Sequence, residues 1–428
     1  MNRPIISRVG TILVGGIFLV GLLGGFASEK MNALDHQANS QPPESSSSIA
    51  QSANQEVDSQ LVEANTKFGF KLLQEILKSE SENNVFISPS SVAIALAMTY
   101  NGASGETQQA MADALALQGM SLEEINQANK TLEASLENAD PEVKLSIANS
   151  LWARQGIAFK PQFLERNQQF YGAEIAELDF GSSDATDVIN NWVKDNTSGK
   201  IEKIIEQIKP EDVLFLINAI YFKGNWTQEF DPNQTTEQSF HLLDGSTKQQ
   251  PMMSQSGEYQ YYENENFQAV SLPYGNERLS FYVFLPREES SLADLQNQLN
   301  AENWQQWTRQ FNQRDGLVKL PRFKFEYEIK LTEALKALGM ETAFNANADF
   351  SEMTTANVKI DEVKHKTFIE VNEEGTEAAA VTSGRISLTS IEISEPPFQM
   401  VVDRPFFCAI RDNQTGSVLF MGSIVEPK

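Results

Sequence analysis

Basic side chains, cysteine and histidine are scarce in this chain, and each scarcity excludes something. Only 33 Lys and Arg stand against 58 Asp and Glu, a formal net charge of −25 over 428 residues. Phosphate backbones are bound through basic stripes, so nucleic acid is excluded as a partner, and anionic polysaccharide or lipid surfaces with it. The single cysteine, Cys408, excludes an intramolecular disulfide framework, so cysteine usage does not reveal the compartment. It sits inside the apolar run PFFCAI, where a small buried hydrophobe is expected rather than a nucleophile. There are three histidines, His36, His241 and His365. None occupies a G-x-S-x-G or comparable nucleophile context. HExxH, CxxC, EF-hand, Walker and dinucleotide-binding signatures are all missing. The abundant carboxylates read as a solvated surface. No enzyme, cofactor or metal site is expected.

A long uncharged apolar run occurs once, from Val9 to Ala27, after Arg3 and Arg8. A basic start, an apolar stretch and the small-residue close Gly25-Phe26-Ala27 fit a cleaved export signal first. A retained N-terminal anchor is the second reading, since nineteen residues are just enough to span a bilayer. Either reading puts the bulk of the protein outside the cytosol, secreted, periplasmic or tethered through residues 9–27. Residues 28–56, including QPPESSSSIAQSANQ, are polar and form a flexible linker, because they cannot bury enough apolar surface to offset chain entropy. Residues 57–428 have no second linker and read as one large domain.

Within that domain, Leu61 to Leu77 shows helical apolar spacing. Val85-Phe86-Ile87 is a short strand, and Ser88-Pro89-Ser90 starts a helix that is apolar on nearly every face. The runs 145–153, 213–226 and 277–286 read as core strands, Asp244-Gly245 as a hairpin turn, and Asp412–Gly416 as the turn of a closing hairpin. Helices and strands mix without a βαβ rhythm, which indicates α+β.

Four segments, NVFISPSSVAIALAM, LINAIYFKGNW, VKHKTFIEVNEEGTEAAA and RPFFCAIRD…GSVLFMGSIVEP, together resemble the serpin family of serine protease inhibitors, in a bacterial-type form with an export signal or anchor. The resemblance covers residues 57–428. It implies a large central mixed β-sheet with surrounding helices, additional sheets and an exposed reactive-centre loop. It also implies suicide-substrate inhibition: a protease acylates itself on the loop, and the cleaved loop enters the central sheet as a new strand.

That mechanism makes physical demands which the residues can be asked to meet. The hinge would be Glu373, Glu374, Gly375, Thr376, Glu377, Ala378, Ala379 and Ala380. Strand alternation sends Thr376, Ala378, Ala380, Thr382, Gly384 and Ile386 inward, and Glu377, Ala379, Val381, Ser383 and Arg385 outward. Both charges fall on the outward face, and no proline interrupts Glu373 to Glu395. A domain of about 370 residues is roughly 50–55 Å across. Fifteen strand residues span about 50 Å, enough to carry a protease from pole to pole.

Counting from Glu373, the resemblance puts the scissile bond at Thr389-Ser390, with Leu388-Thr389 as runner-up. Thr389 and Leu388 suit elastase-like or subtilisin-like targets, whereas cutting at Arg385 would give substrate behaviour. The resemblance further assigns Ser88, Ser91, Asn218 and His365 to a polar cluster beneath the opening sheet, and Trp226 to the point where the loop enters it. The helix region 121–138 is acidic, so no heparin-type activator is expected. A monomer is expected. The alternative is a non-inhibitory serpin-fold binding or chaperone-like protein.

Overall fold

The computed structural model describes residues 56–209, 211–376 and 396–428, which belong to one compact unit, Gln55–Lys428. Helix α1 (Ser59–Glu80) starts at Asp58, whose carboxylate accepts from the Gln60 and Leu61 amides, and it buries Phe68, Leu72, Leu73, Ile76 and Leu77. Helix α2 (Pro89–Tyr100) has Ser88 as its cap and Pro89 in its first turn, and all of its residues are buried. Next come α3 (Gly105–Ala114), α4 (Leu122–Glu137) with a Ser121/Glu124 capping box, α5 (Pro161–Tyr171) and α6 (Ala185–Asn196).

The described strands, in chain order, begin with β1 (Val85–Ile87), β2 (Val143–Arg154), β3 (Glu174–Leu178), β4 (Leu214–Asn225) and β5 (Thr236–His241). They continue with β6 (Thr247–Glu263), β7 (Phe267–Pro273), β8 (Leu279–Pro286), β9 (Asn312–Pro321) and β10 (Phe323–Lys330). The last are β11 (Glu362–Val371), β12 (Gly375–Thr376), β13 (Phe398–Val401), β14 (Phe406–Asp412) and β15 (Val418–Ile424).

They form two sheets. One has nine strands in the order β1-β15-β14-β8-β7-β6-β9-β13, with β5 paired to β6. The other has six, β10-β11-β12-β4-β2-β3. It is mixed: β11 runs parallel to β4, and β2 parallel to β3, while β10–β11 and β2–β4 are antiparallel. The near-continuous apolar run of β4 is explained by its position, since it is buried along both faces. Its inner side chains join the main core. Its outer ones, Phe215, Ile217, Ala219 and Tyr221, pack with Ile189 and Val193 of α6 and with Ile201, Ile204 and Ile205 beyond it.

On the outer face of β10 and β11 the side chains are charged. Lys324 pairs with Glu370, Lys366 with Glu326 and Glu328, Lys364 with Glu328, and Lys330 with Glu362. These pairs zigzag between the two strands. The buried Lys364 and Lys366 ammonium groups also donate to the Ile204 and Lys203 carbonyls of the segment after α6.

Candidate functional site at the parallel seam

Strands β11 and β4 are bonded directly to each other from Glu362↔Phe215 to Phe368↔Tyr221. Above that they part, and β12 occupies the gap. Thr376 pairs antiparallel with Val371 on one side and Gly224 on the other, and Gly375 pairs with Asn225. Two expected hinge residues are thus already strand. The Gly375 backbone (φ +154°) approaches so closely that a Cβ there would lie 2.2 Å from the Gly224 carbonyl oxygen, so only glycine fits.

A tight turn joins β11 to β12. The Asn372 N–H donates to the Gly375 carbonyl at 2.9 Å. The Asn372 side-chain oxygen accepts from the Glu374 and Gly375 amides, both at 3.1 Å. Trp226 lies beside this turn: its indole N–H donates to the Asn372 carbonyl at 2.9 Å, and its ring stacks on Tyr274 at 4.6 Å. The Trp226 and Phe230 amides donate to the Glu374 and Glu373 carbonyls. Glu373 itself accepts from Thr235 Oγ1 at 2.7 Å and pairs with Arg322 at 3.5 Å. Thr376 is buried, and its hydroxyl shares a 2.6 Å hydrogen bond with Tyr274 Oη.

Lower in the seam lies the polar cluster. Asn218, mid-β4, faces His365 on β11 and Asn149 on β2, because the two registers meet at that residue. The Asn218 amide nitrogen donates to Ser91 Oγ (2.5 Å), the Ser91 carbonyl (3.2 Å) and Asn149 Oδ1 (2.7 Å). His365 Nε2 accepts from the Ser88 amide at 3.0 Å, which leaves Nδ1–H as the donor to Asn218 Oδ1 at 2.6 Å. Ser88 Oγ caps α2 by accepting from the Ser91 amide. Complete burial holds the imidazole neutral, with its pKa lowered to about 3. Protonation would set Nε2–H against the Ser88 N–H, two donors facing each other.

Ser88, Ser91, Asn218 and His365 are therefore in one network. Asn149 belongs to it and was not singled out from the sequence, although a lone amide inside the apolar run LSIANSLWA is a detectable signal. Neither Asn372 nor Tyr274 was singled out either. Glu377, Ala378, Ala379 and Ala380, and the bond candidates Leu388, Thr389 and Ser390, lie outside the described residues.

His241 is exposed on β5, in the other sheet from His365, with its amide donating to the Asp403 carbonyl. Burial pushes the Cys408 thiol far above its ordinary range, so it is no nucleophile. Among the described residues no group of three His, Cys, Asp or Glu is arranged to hold a metal ion.

A parallel seam with an antiparallel strand begun at its mouth defines a class: α+β proteins with a mixed central sheet parted at one end. The family model described as "Serpin (serine protease inhibitor)" matches residues 63–427. A serpin-like protein of Thermococcus kodakarensis is 34% identical over 425 residues, covering 96% of this chain and 97% of that protein. Human leukocyte elastase inhibitor is 36% identical over 382 residues, 86% of this chain and all of that one. Among solved structures, the thermophilic serpin Tengpin in its native state matches with a TM-score of 0.80 at 34% identity, covering 87% of this chain and 96% of its own. Human thyroxine-binding globulin matches at 0.79 and 28% identity, covering 86% and 99%. The chain belongs to the serpin family. It has the serpin fold.

Proposed function

We propose that the protein is a suicide-substrate inhibitor of serine proteases that traps the acyl-enzyme by inserting its cleaved reactive loop between β11 and β4. The observation that carries this reading is the register of β12. Val371 and Gly224 flank Thr376 with the same offset that already pairs His365 with Asn218. A strand continuing from Thr376 therefore needs the seam to widen sideways, with no slide of one strand past the other. In that register Ala378 comes between Ile369 and Phe222, Ala380 between Thr367 and Ile220, and Thr382 between His365 and Asn218. All six neighbours are buried, which suits small uncharged side chains. On the other face, Arg385 comes opposite Glu362.

Thr382 would thus arrive where the His365–Asn218 bond now is, and its hydroxyl can serve both partners as that bond is lost. One parallel pairing becomes two antiparallel ones, which are slightly more stable per residue. New hydrogen bonds at about 1 kcal/mol each nearly cancel ordering costs of about 1–2 kcal/mol per residue. Apolar burial and sheet repacking supply the drive, so the uncleaved fold is a kinetic trap.

Thr389-Ser390 as the scissile bond favours an elastase-like or subtilisin-like target, a reading supported by the relative named for leukocyte elastase. Export through residues 1–27 would let a monomer meet such proteases outside the cytosol. Incubation with pancreatic elastase should yield an adduct that survives boiling in detergent, with mass spectrometry locating cleavage after Thr389. Cleaved product without adduct would sink the proposal. Likeness to thyroxine-binding globulin supports a second reading, a non-inhibitory binding or chaperone-like protein. That reading requires the melting temperature to stay unchanged after loop cleavage.

A further inference from the structure

We propose that Asn372 is a positioning residue for loop insertion, holding the turn from which the inserted strand zips. The inference rests on the insertion mechanism above and assigns a step within it. A strand that enters beside β11 must first reverse direction, and a reversal fixes several backbone dihedrals before any ladder bond rewards it. Here the reversal exists before cleavage. Val371 pairs with Thr376 across a four-residue turn closed by the Asn372 N–H to Gly375 carbonyl bond.

The turn is written in one side chain. Glu373 and Glu374 form the turn's tip, and the Glu373 carboxylate is held by Thr235 and Arg322. The main-chain groups of the tip are fixed from two sides. Asn372 Oδ1 takes the Glu374 and Gly375 amides, and the Phe230 and Trp226 amides take the Glu373 and Glu374 carbonyls. The outer clamp belongs to the segment just past the end of β4, and therefore to the far side of the seam. At this level β12 already holds β11 and β4 a strand's width apart, so the seam widens below the turn, and the turn is the fixed end from which widening proceeds. From the β11 side Asn372 holds the turn's amides, and Arg322, just ahead of β10, pairs with the Glu373 carboxylate. Each later residue of the strand then adds next to an existing pair, so zipping proceeds without renewed nucleation. Without the side-chain acceptor, the Glu374 and Gly375 amides lose their partner, and the first added pairs form against a looser turn while hydrolysis of the acyl-enzyme competes.

The test separates kinetics from native stability. The loop of the full-length protein is nicked with trypsin at Arg385, mass spectrometry confirms the site, and the half-time for gain of heat resistance is followed. Asn372→Ala should lengthen that half-time about five-fold, equivalent to about 1 kcal/mol. Asn372→Asp, which keeps an acceptor at the same point, should restore it. The melting temperature of the intact protein should hardly differ among the three. An unchanged half-time in Asn372→Ala, or equal slowing in Asn372→Asp, would overturn the assignment. Should Asn372→Ala not fold, Asn372→Gln, whose acceptor is displaced by one methylene, must show the slowing. If the wild-type nicked protein gains no heat resistance, insertion itself is absent and the inhibitory reading falls first.

Discussion

Lowering the pH should loosen the seam through one residue, His365. Its neutral form is required twice over, by the donor from Ser88 and by burial, and its pKa is held at about 3 against an ordinary 6.5. The unfolded chain therefore takes up the proton first as pH falls. The stabilisation is complete above about pH 6.5 and is lost progressively toward pH 3. At pH 5 the loss is about 2 kcal/mol, from 1.5 units at 1.36 kcal/mol each.

Glu133 on α4 acts in the opposite sense. Burial, reinforced by Glu137, raises its carboxyl to about 8, so it stabilises the fold below about pH 4.5 and loses that effect as pH rises to 8. Between pH 7.5 and 5 it therefore offsets the His365 loss in the total. The two must be separated by difference. The midpoint of the first unfolding transition in urea should be measured at pH 7.5, 6 and 5 for the wild type and for His365→Gln. The wild type should lose about 2 kcal/mol more than the variant between the extremes. Parallel pH profiles for the two proteins would refute the claim that a neutral His365 holds the seam.

Two further outcomes test the hinge. Thr376→Arg should abolish protease trapping and leave a substrate, because it puts an unpaired charge worth several kcal/mol at a buried position, whereas Glu377→Arg should be mild. Equal adduct yields on a detergent gel would mean that the inward register is wrong. Tyr274→Phe removes the partner of the buried Thr376 hydroxyl and should lower the thermal transition by the equivalent of about 1–3 kcal/mol. Combining it with Thr376→Val should recover part of that loss, and strict additivity of the two changes would show that the hydroxyls are not coupled.

Much of this fold is local pattern made visible. The cap at Ser88, the all-apolar α2, the apolar β4 and the closing hairpin of β14 and β15 each follow from composition over a dozen residues or fewer. What stayed hidden was pairing between distant segments. Nothing in the run QQPMMSQSGEYQYYE announces β6, a 17-residue strand, since its polar side chains reflect one solvent-facing side that only the sheet order defines.

The same holds at the site. Resemblance supplied Asn218 and His365, yet that Asn149 completes their network depends on β2 being antiparallel to β4 in one particular register. Asn372 read as an ordinary polar residue between a strand and a loop. Its role comes from two amide bonds whose geometry no spacing rule contains.

The charge zigzag between β10 and β11 has a mechanical meaning. Several ion pairs stitch those two strands together, whereas across the seam from β11 to β4 His365 bonds Asn218 and, at its foot, Asp361 accepts from the Val213 and Leu214 amides. A sheet under lateral load tears along its weakest line, and here the stitching draws that line. Like perforated paper, it divides in advance into two leaves, β10 with β11 and β4 with β2 and β3. On the proposed mechanism, the position of the tear follows from where charges were sewn in.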